Sequence, residues 1–351
     1  MTLTPTTMTA AVLVEQNAPL RLEEVEIPTL GVGQILVKML HSGICGKQID
    51  EITGKRGPDP YIPHMLGHEG SGIVTAVGPG ITKVQEQDHV VLHWMKGSGI
   101  ESAPPRFHIN NQIISAGWVT TFSEYTIVSE NRVTKVDSDA PSQTSALLGC
   151  AVTTGLGIIF NDINLKPGQS VAVFGVGGIG VNVLQGAKLI NAYPVVAIDV
   201  HEHKLDMARE FGATHTFNYN DIKSDFYHVY LGLADGFDAV VDTTGVTQVF
   251  EYGYSITSKI GKTIVGGVQN HKERISIDGY TLQSGKQIIG SHGGSTNPDV
   301  DIPRYSILNK IGLLDLEGQI THSYPLEHIN DAIEIVRSGD AGRCMIDFTS
   351  S

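Results

Sequence analysis

The chain has 351 residues, is 41% hydrophobic and 17% charged, and carries a formal net charge of −13. That length allows one large or two medium domains of roughly 150 residues each, with a core of real size. The acidic balance argues against nucleic-acid binding, which needs basic patches over an anionic backbone, and no apolar run approaches the roughly 20 residues that span a bilayer.

The opening MTLTPTTMTAAVLVEQ has neither the basic start nor the long apolar run of a secretory leader. The three cysteines are scattered, form no CxxC pair and make no disulfide framework, so a cytoplasmic setting is expected. Up to about residue 150 the pattern predicts short strands between turns: AAVLVEQ, QILVKML, GSGIVTAVG, DHVVLHW and FSEYTIV. Between the first two and the rest lie SGICGKQIDE, with Cys45 and Lys47, and PHMLGHEGSGIV, with His68 and Glu69. The character changes near TSALLGCAVTTGLGIIF, which holds Cys150. From QSVAVFGVGGIG to about residue 290 strands alternate with helical segments, the signature of a parallel α/β sheet. After GSHGG the pattern loosens, and one late helix is predicted around LEHINDAIEIVRSG. The expected fold class is α/β: a β-rich domain split in sequence, residues 1–151 and 294–351, with a doubly wound parallel-sheet (Rossmann) domain, residues 152–293, inserted between its halves.

The nucleotide signal is local. A predicted strand runs into Gly175-Val176-Gly177-Gly178-Ile179-Gly180, and an amphipathic helix follows. GxGxxG alone is weak in a chain with 40 glycines, but the flanking strand and helix are the context it requires. Gly175 permits the tight turn, Gly177 lets backbone approach a pyrophosphate, and Gly180 packs helix closely on strand. The next strand, PVVAID, ends at Asp199, placed to hydrogen-bond a ribose hydroxyl and repel a 2′-phosphate; NAD is therefore expected over NADP.

The metal signal is dispersed. Two thiols and an imidazole, Cys45, Cys150 and His68, form the kind of three-ligand set a catalytic zinc uses, with a fourth position open, and Glu69 would stand beside them. Taken singly, each has an ordinary reading: a buried thiol as apolar filler, a histidine on the surface. Their separations along the chain are too long for spacing to show convergence.

In order and separation, GICG, GHEGSGIV, GCAVTTG and VFGVGGIG resemble the zinc-type medium-chain alcohol dehydrogenase superfamily, from about Met8 to Phe348. The resemblance implies a GroES-like catalytic domain and a Rossmann domain, one catalytic zinc on Cys45, His68 and Cys150, and Glu69 as an occasional ligand. It implies that Thr154 lies near the nicotinamide, Trp94 lines the alcohol pocket, Lys204 reaches the adenosine ribose and Arg343 meets the cofactor pyrophosphate. A homodimer or homotetramer is implied too. Many relatives carry a lobe of four closely spaced cysteines for a second, structural zinc. Here HWMKGSGIESAPPRFHINNQIISAGW has none, so no structural zinc is expected and a glutathione-dependent formaldehyde dehydrogenase is disfavoured.

Lys47 also departs from the family, where the residue two after the first ligand is usually Ser or Thr, passing the alcohol's proton outward towards a His. Here Lys47 and Asp50 hold those places. Three readings stand open: Lys47 as general base steered by Asp50, as a binder of an anionic group, or as an outward-facing bystander. The segment from His93 to Trp118 is expected to border the cleft, with Trp94 and Trp118 against substrate. Its polar residues, His93, Lys96, Glu101, Arg106, His108, Asn110 and Asn111, suit a polyhydroxylated secondary alcohol such as a sugar or cyclitol. Simple primary or secondary alcohols are the alternative, and a zinc-free quinone reductase or a non-catalytic nucleotide-binding relative is the remote one.

Overall fold

The computed structural model describes residues 5–55, 57–222, 226–233, 235–270 and 272–350. It divides into two compact units, residues 1–150 with 297–351, and residues 151–296.

The first unit is built mainly from antiparallel strands; only Ile320–Pro325 with Arg343–Asp347 and His64–Met65 with Gln112–Ser115 pair in parallel among the described residues. Thr7–Leu13, Arg21–Glu26, Arg106–Ile109, Gln112–Ser115 and His64–Met65 close a small barrel, which leaves no open edges. A second sheet runs in the order Val133–Lys135, His89–His93, Glu69–Val77, Gln34–Gly43, Arg343–Asp347, Ile320–Pro325, and Tyr125–Ser129 also pairs with Gln34–Gly43. The central strand Gln34–Gly43 leads straight to Cys45 and its short helix, Gly46–Ile52. Arg343–Asp347 returns from the far end of the sequence to pair antiparallel with that strand, Met345 opposite Gly43. Register thus delivers Arg343 to the neighbourhood of Cys45. Val90, Val91 and Leu92 are buried, as are Ile35, Leu36 and Val37, so both sheet faces are covered here.

The second unit is a six-stranded parallel sheet. In sequence order its strands are Val171–Phe174, Val195–Asp199, His215–Asn218, Phe237–Asp242, Thr257–Val265 and Gln287–Gly290; in space they run third, second, first, fourth, fifth, sixth. The strand order reverses beside Val171–Phe174, the place where such sheets bind dinucleotides. Val171–Phe174 and Val195–Asp199 are buried throughout, as strands covered on both faces must be.

The late helix is present as Ile329–Ser338, ended by Gly339 in the left-handed region. The short helices Gly46–Ile52 and Ser142–Leu147 go unplaced by the sequence reading, and the longest helix that it does not place is Pro298–Lys310, thirteen residues long. Its apolar positions define no single face and Pro303 lies inside it, so periodicity gave no sign of it. Pro298 near its start and Asp299 and Asp301 in its first turn were the local signals. Among the described residues no helix is long and apolar enough to cross a membrane.

Candidate active site

Cys45, His68 and Cys150 converge: one donor atom from each lies within 4.8 Å of the others. They are the one such group of three among the described residues. Cys45 sits immediately before the Gly46–Ile52 helix, His68 immediately before the Glu69–Val77 strand, and Cys150 in the turn after the Ser142–Leu147 helix. His68 and Cys150 are buried and Cys45 is partly exposed, so the group opens to one side. The Nε2 of His68 is 3.2 Å from the Cys150 sulfur.

Two thiols at this separation cannot ionise alike. The hydrogen bond from Cys150 holds the Cys45 thiol well below its usual range, assisted by His68 and Arg343. Cys150 is pushed well above, by the same hydrogen bond, by burial and by the Cys45 charge. The pair favours one thiolate beside one thiol, with the His68 imidazole next to them; two sulfurs and one nitrogen are a donor set that fits zinc. A divalent cation would relieve the crowding of charge by taking the remaining proton's place.

Behind the group lies a buried ion pair. Arg343 Nη2 contacts Glu69 Oε1, with Arg343 5% and Glu69 0% exposed. Burial works against the Arg343 charge, but Glu69, Cys45 and Cys150 more than offset it, so the guanidinium is held firmly protonated. Gly43 makes room for this pair: a Cβ there would lie 2.6 Å from Glu69 Oε1 and 2.9 Å from Arg343 Nη2.

A cavity of about 540 Å³ reaches His68. Trp94, Trp118, Met65 and Leu66 give it an apolar wall, while Lys47, Glu51, Asp59 and His64 bring charge. Lys47 Nζ lies 3.4 Å from Glu51 Oε1, one helical turn on. Asp50 is paired with Lys55 instead, at 3.4 Å, so the carboxylate beside Lys47 is Glu51 and not Asp50. His64 Nε2 and Asp59 Oδ2 are 2.8 Å apart. The guanidinium of Arg132 lies over the Trp118 ring at 5.4 Å.

The polar segment after His93 is placed differently from the sequence expectation. His93 is buried, its ring nitrogens facing the Met95 carbonyl and the Thr134 hydroxyl. Lys96 and Glu101 pair with each other on the surface, and Asn110 and Asn111 form the left-handed turn of a hairpin. Of the polar side chains named there, none lines the cavity; the two tryptophans do. Charge enters from Lys47–Glu51 and Asp59–His64, which sequence reading, Lys47 apart, passed over. The residue missed nearest the metal group is Gln48, three after Cys45 and buried.

In the second unit the fingerprint turn has the expected geometry. Gly175 has φ +86°, and a Cβ on Gly180 would lie 1.9 Å from the Gly175 carbonyl oxygen, so no side chain fits there. A Cβ on Gly177 would meet nothing within 4 Å: the backbone is bare toward open space, as a pyrophosphate cradle requires. Gly178 opens the Gly178–Leu189 helix, whose second residue is Ile179. Asp199 accepts the backbone N–H groups of Val176 at 2.7 Å and His201 at 3.0 Å, so its carboxylate braces the turn itself. Lys204 lies partly exposed in the following helix, Glu202–Glu210, and Thr154 is buried in Ala151–Gly157. These features fit a dinucleotide.

Residues 31–138 match the family described as alcohol dehydrogenase GroES-like domain, and residues 178–305 the one described as zinc-binding dehydrogenase. The chain is 32% identical over 366 aligned positions to an S-(hydroxymethyl)glutathione dehydrogenase of Escherichia coli O139:H28 (strain E24377A / ETEC), spanning 97% of this chain and 99% of the relative. Among solved structures, benzyl alcohol dehydrogenase from Acinetobacter calcoaceticus superposes with a TM-score of 0.89 at 27% identity, over 98% of this chain and 99% of that one. An alcohol dehydrogenase zinc-binding domain protein from Burkholderia ambifaria gives the same TM-score at 26% identity, over 97% and 98%. The chain belongs to the zinc-type medium-chain alcohol dehydrogenase superfamily. It is a zinc-dependent oxidoreductase of CH–OH donors, in a family whose typical nucleotide is NAD. The relative with glutathione in its name aligns end to end even though this chain lacks cysteine between His93 and Trp118.

Proposed function

We propose that this enzyme oxidises, with NAD, the hydroxyl of a secondary alcohol bearing further polar groups: a sugar, a cyclitol or another polyol. The observation that carries this reading is the cavity of about 540 Å³, in which His68 shares the lining with Lys47, Glu51, Asp59 and His64 on one hand and Trp94 and Trp118 on the other. A pocket built to hydrogen-bond several hydroxyls strongly rejects analogues lacking them, because its own polar groups are then left unpaired.

Cys45, His68 and Cys150 hold the metal. When bound, zinc supplies a Lewis acid for the alcohol oxygen, and NAD accepts the hydride from the alcohol carbon. Glu69 and Arg343 keep balanced charge behind the ligands. The Gly175–Gly180 turn, Asp199 and Lys204 bind the dinucleotide, with Thr154 along the nicotinamide. Lys47, held by Glu51 and 41% exposed at its side chain, orients a polar or anionic part of the substrate. Trp94 and Trp118 exclude water from one side. A second reading, simple or aromatic alcohols, is favoured by those same two rings.

NADH formation from a panel running from ethanol and benzyl alcohol through sorbitol and inositols to nucleotide sugars, with and without chelator, tests this. Chelator-sensitive turnover with kcat/KM highest on polyhydroxylated compounds is expected. Turnover confined to short or aromatic alcohols would replace the first reading by the second.

A further inference from the structure

The amide of Gln48 bridges two of the three metal-ligating residues. Its Oε1 lies 3.1 Å from the backbone N–H of Cys45, and its Nε2 faces the Nδ1 of His68 in close contact. Gln48 is 1% exposed, so no water competes for either atom. A backbone N–H only donates; the amide atom on Cys45 must therefore be the oxygen, and the one on His68 must be the NH2. A donor facing Nδ1 makes that nitrogen the acceptor. With Nδ1 accepting, the ring's N–H is on Nε2, the atom directed at Cys150.

That arrangement suits the site without metal and conflicts with the site with it. Coordination through Nε2 needs the lone pair there and the proton on Nδ1, where it would meet the NH2 of Gln48. We propose that Gln48 is a metal-coupled positioning residue: its amide inverts on loading, so that Oε1 accepts the Nδ1–H of His68 while the Cys45 N–H loses its acceptor. The proton leaves Nε2 as one returns to Nδ1, and no net charge is gained or lost by the ring. The start of the Gly46–Ile52 helix and the metal thus compete for one oxygen, which makes the metal more readily released than with a carboxylate at this position. The inference rests on the reading that Cys45, His68 and Cys150 bind zinc.

The test is competition between the protein and a chromogenic chelator for zinc, using wild type, Gln48→Glu and Gln48→Leu. A carboxylate accepts from both Cys45 and His68 at once, so Gln48→Glu is expected to tighten zinc by about 10-fold to 100-fold, the span typical of partners of metal-bound histidine. Gln48→Leu is expected to weaken it over a similar range. Melting of the metal-free proteins separates a packing defect, which would lower it for any substitution, from positioning, which moves zinc affinity. Should Gln48→Leu not fold, the near-isosteric Gln48→Glu still decides. Equal zinc affinity in Gln48→Glu and wild type overturns the inference while leaving the proposed function standing. Failure of wild type to bind zinc overturns both.

Discussion

The two units solve their binding problems with opposite materials. Around Cys45, His68 and Cys150 the first unit uses side chains: a thiol pair, an amide bridge and a buried ion pair brought in from residue 343. Around Gly175–Gly180 the second unit uses bare backbone, with a carbonyl only 1.9 Å from where a Cβ would stand. The first site is therefore sensitive to charge and hydrogen bonding, and the second to volume. Removing charge at Glu69 or Arg343 should damage the metal site and spare the nucleotide turn, and a methyl added at Gly180 should do the reverse.

The largest expected effect is on the ion pair. Arg343→Ala takes the guanidinium away from a carboxylate that is fully buried, at a cost of about 3–5 kcal/mol of stability. Denaturant melts and zinc analysis should show reduced stability and metal content together, with binding of NAD to whatever folds little changed. Equal loss of both ligands would blur the distinction between the units.

Acid should act on the same side of the comparison. Burial lowers His41 and His89 below the usual histidine range and takes His93 to about 4, and all three lie in the first unit. A histidine whose folded pKa lies below its unfolded value is neutral in the fold. Its penalty is absent above about 6.5 and grows as pH falls toward 4, where the unfolded chain takes the proton first. For His93 this amounts to about 3 kcal/mol. Melting temperature measured across that window should fall, and His93→Gln should flatten the curve.

Gly180→Ala probes the other end. The added methyl collides with backbone, and forcing it in costs about 1–3 kcal/mol. Calorimetric titration should show weakened NAD binding with zinc content kept. The smallest effect is expected for Lys47→Ala: stability within about 0.5 kcal/mol, with KM for polar alcohols raised up to about fivefold at little change in kcat. A fall in kcat at constant KM would instead return Lys47 to the proton-transfer reading.

The two sites also differed in how far the sequence disclosed them. The nucleotide turn is contiguous, so strand, glycines and helix could be recognised from one short stretch, and the parallel sheet around it follows from alternation of elements. The metal group comes from three distant segments, and only resemblance to a family joined them. Gln48 and Glu51 were invisible as neighbours because their partners are set by helical position and by a register no local pattern encodes. The polar stretch after His93 misled for a related reason: polarity in sequence does not say which way a side chain turns, and those residues bond to one another, to backbone, or face outward. The Pro298–Lys310 helix was missed because it lacks a periodic apolar face.

The most direct measurement is metal content against turnover in wild type, Cys45→Ser and Cys150→Ser, before and after chelation and on adding zinc back. One zinc per wild-type chain, lost with NAD-linked alcohol oxidation and regained with it, and little metal or turnover in either variant, is the predicted result. Full turnover by the stripped wild type, or by either serine variant without zinc, would contradict it.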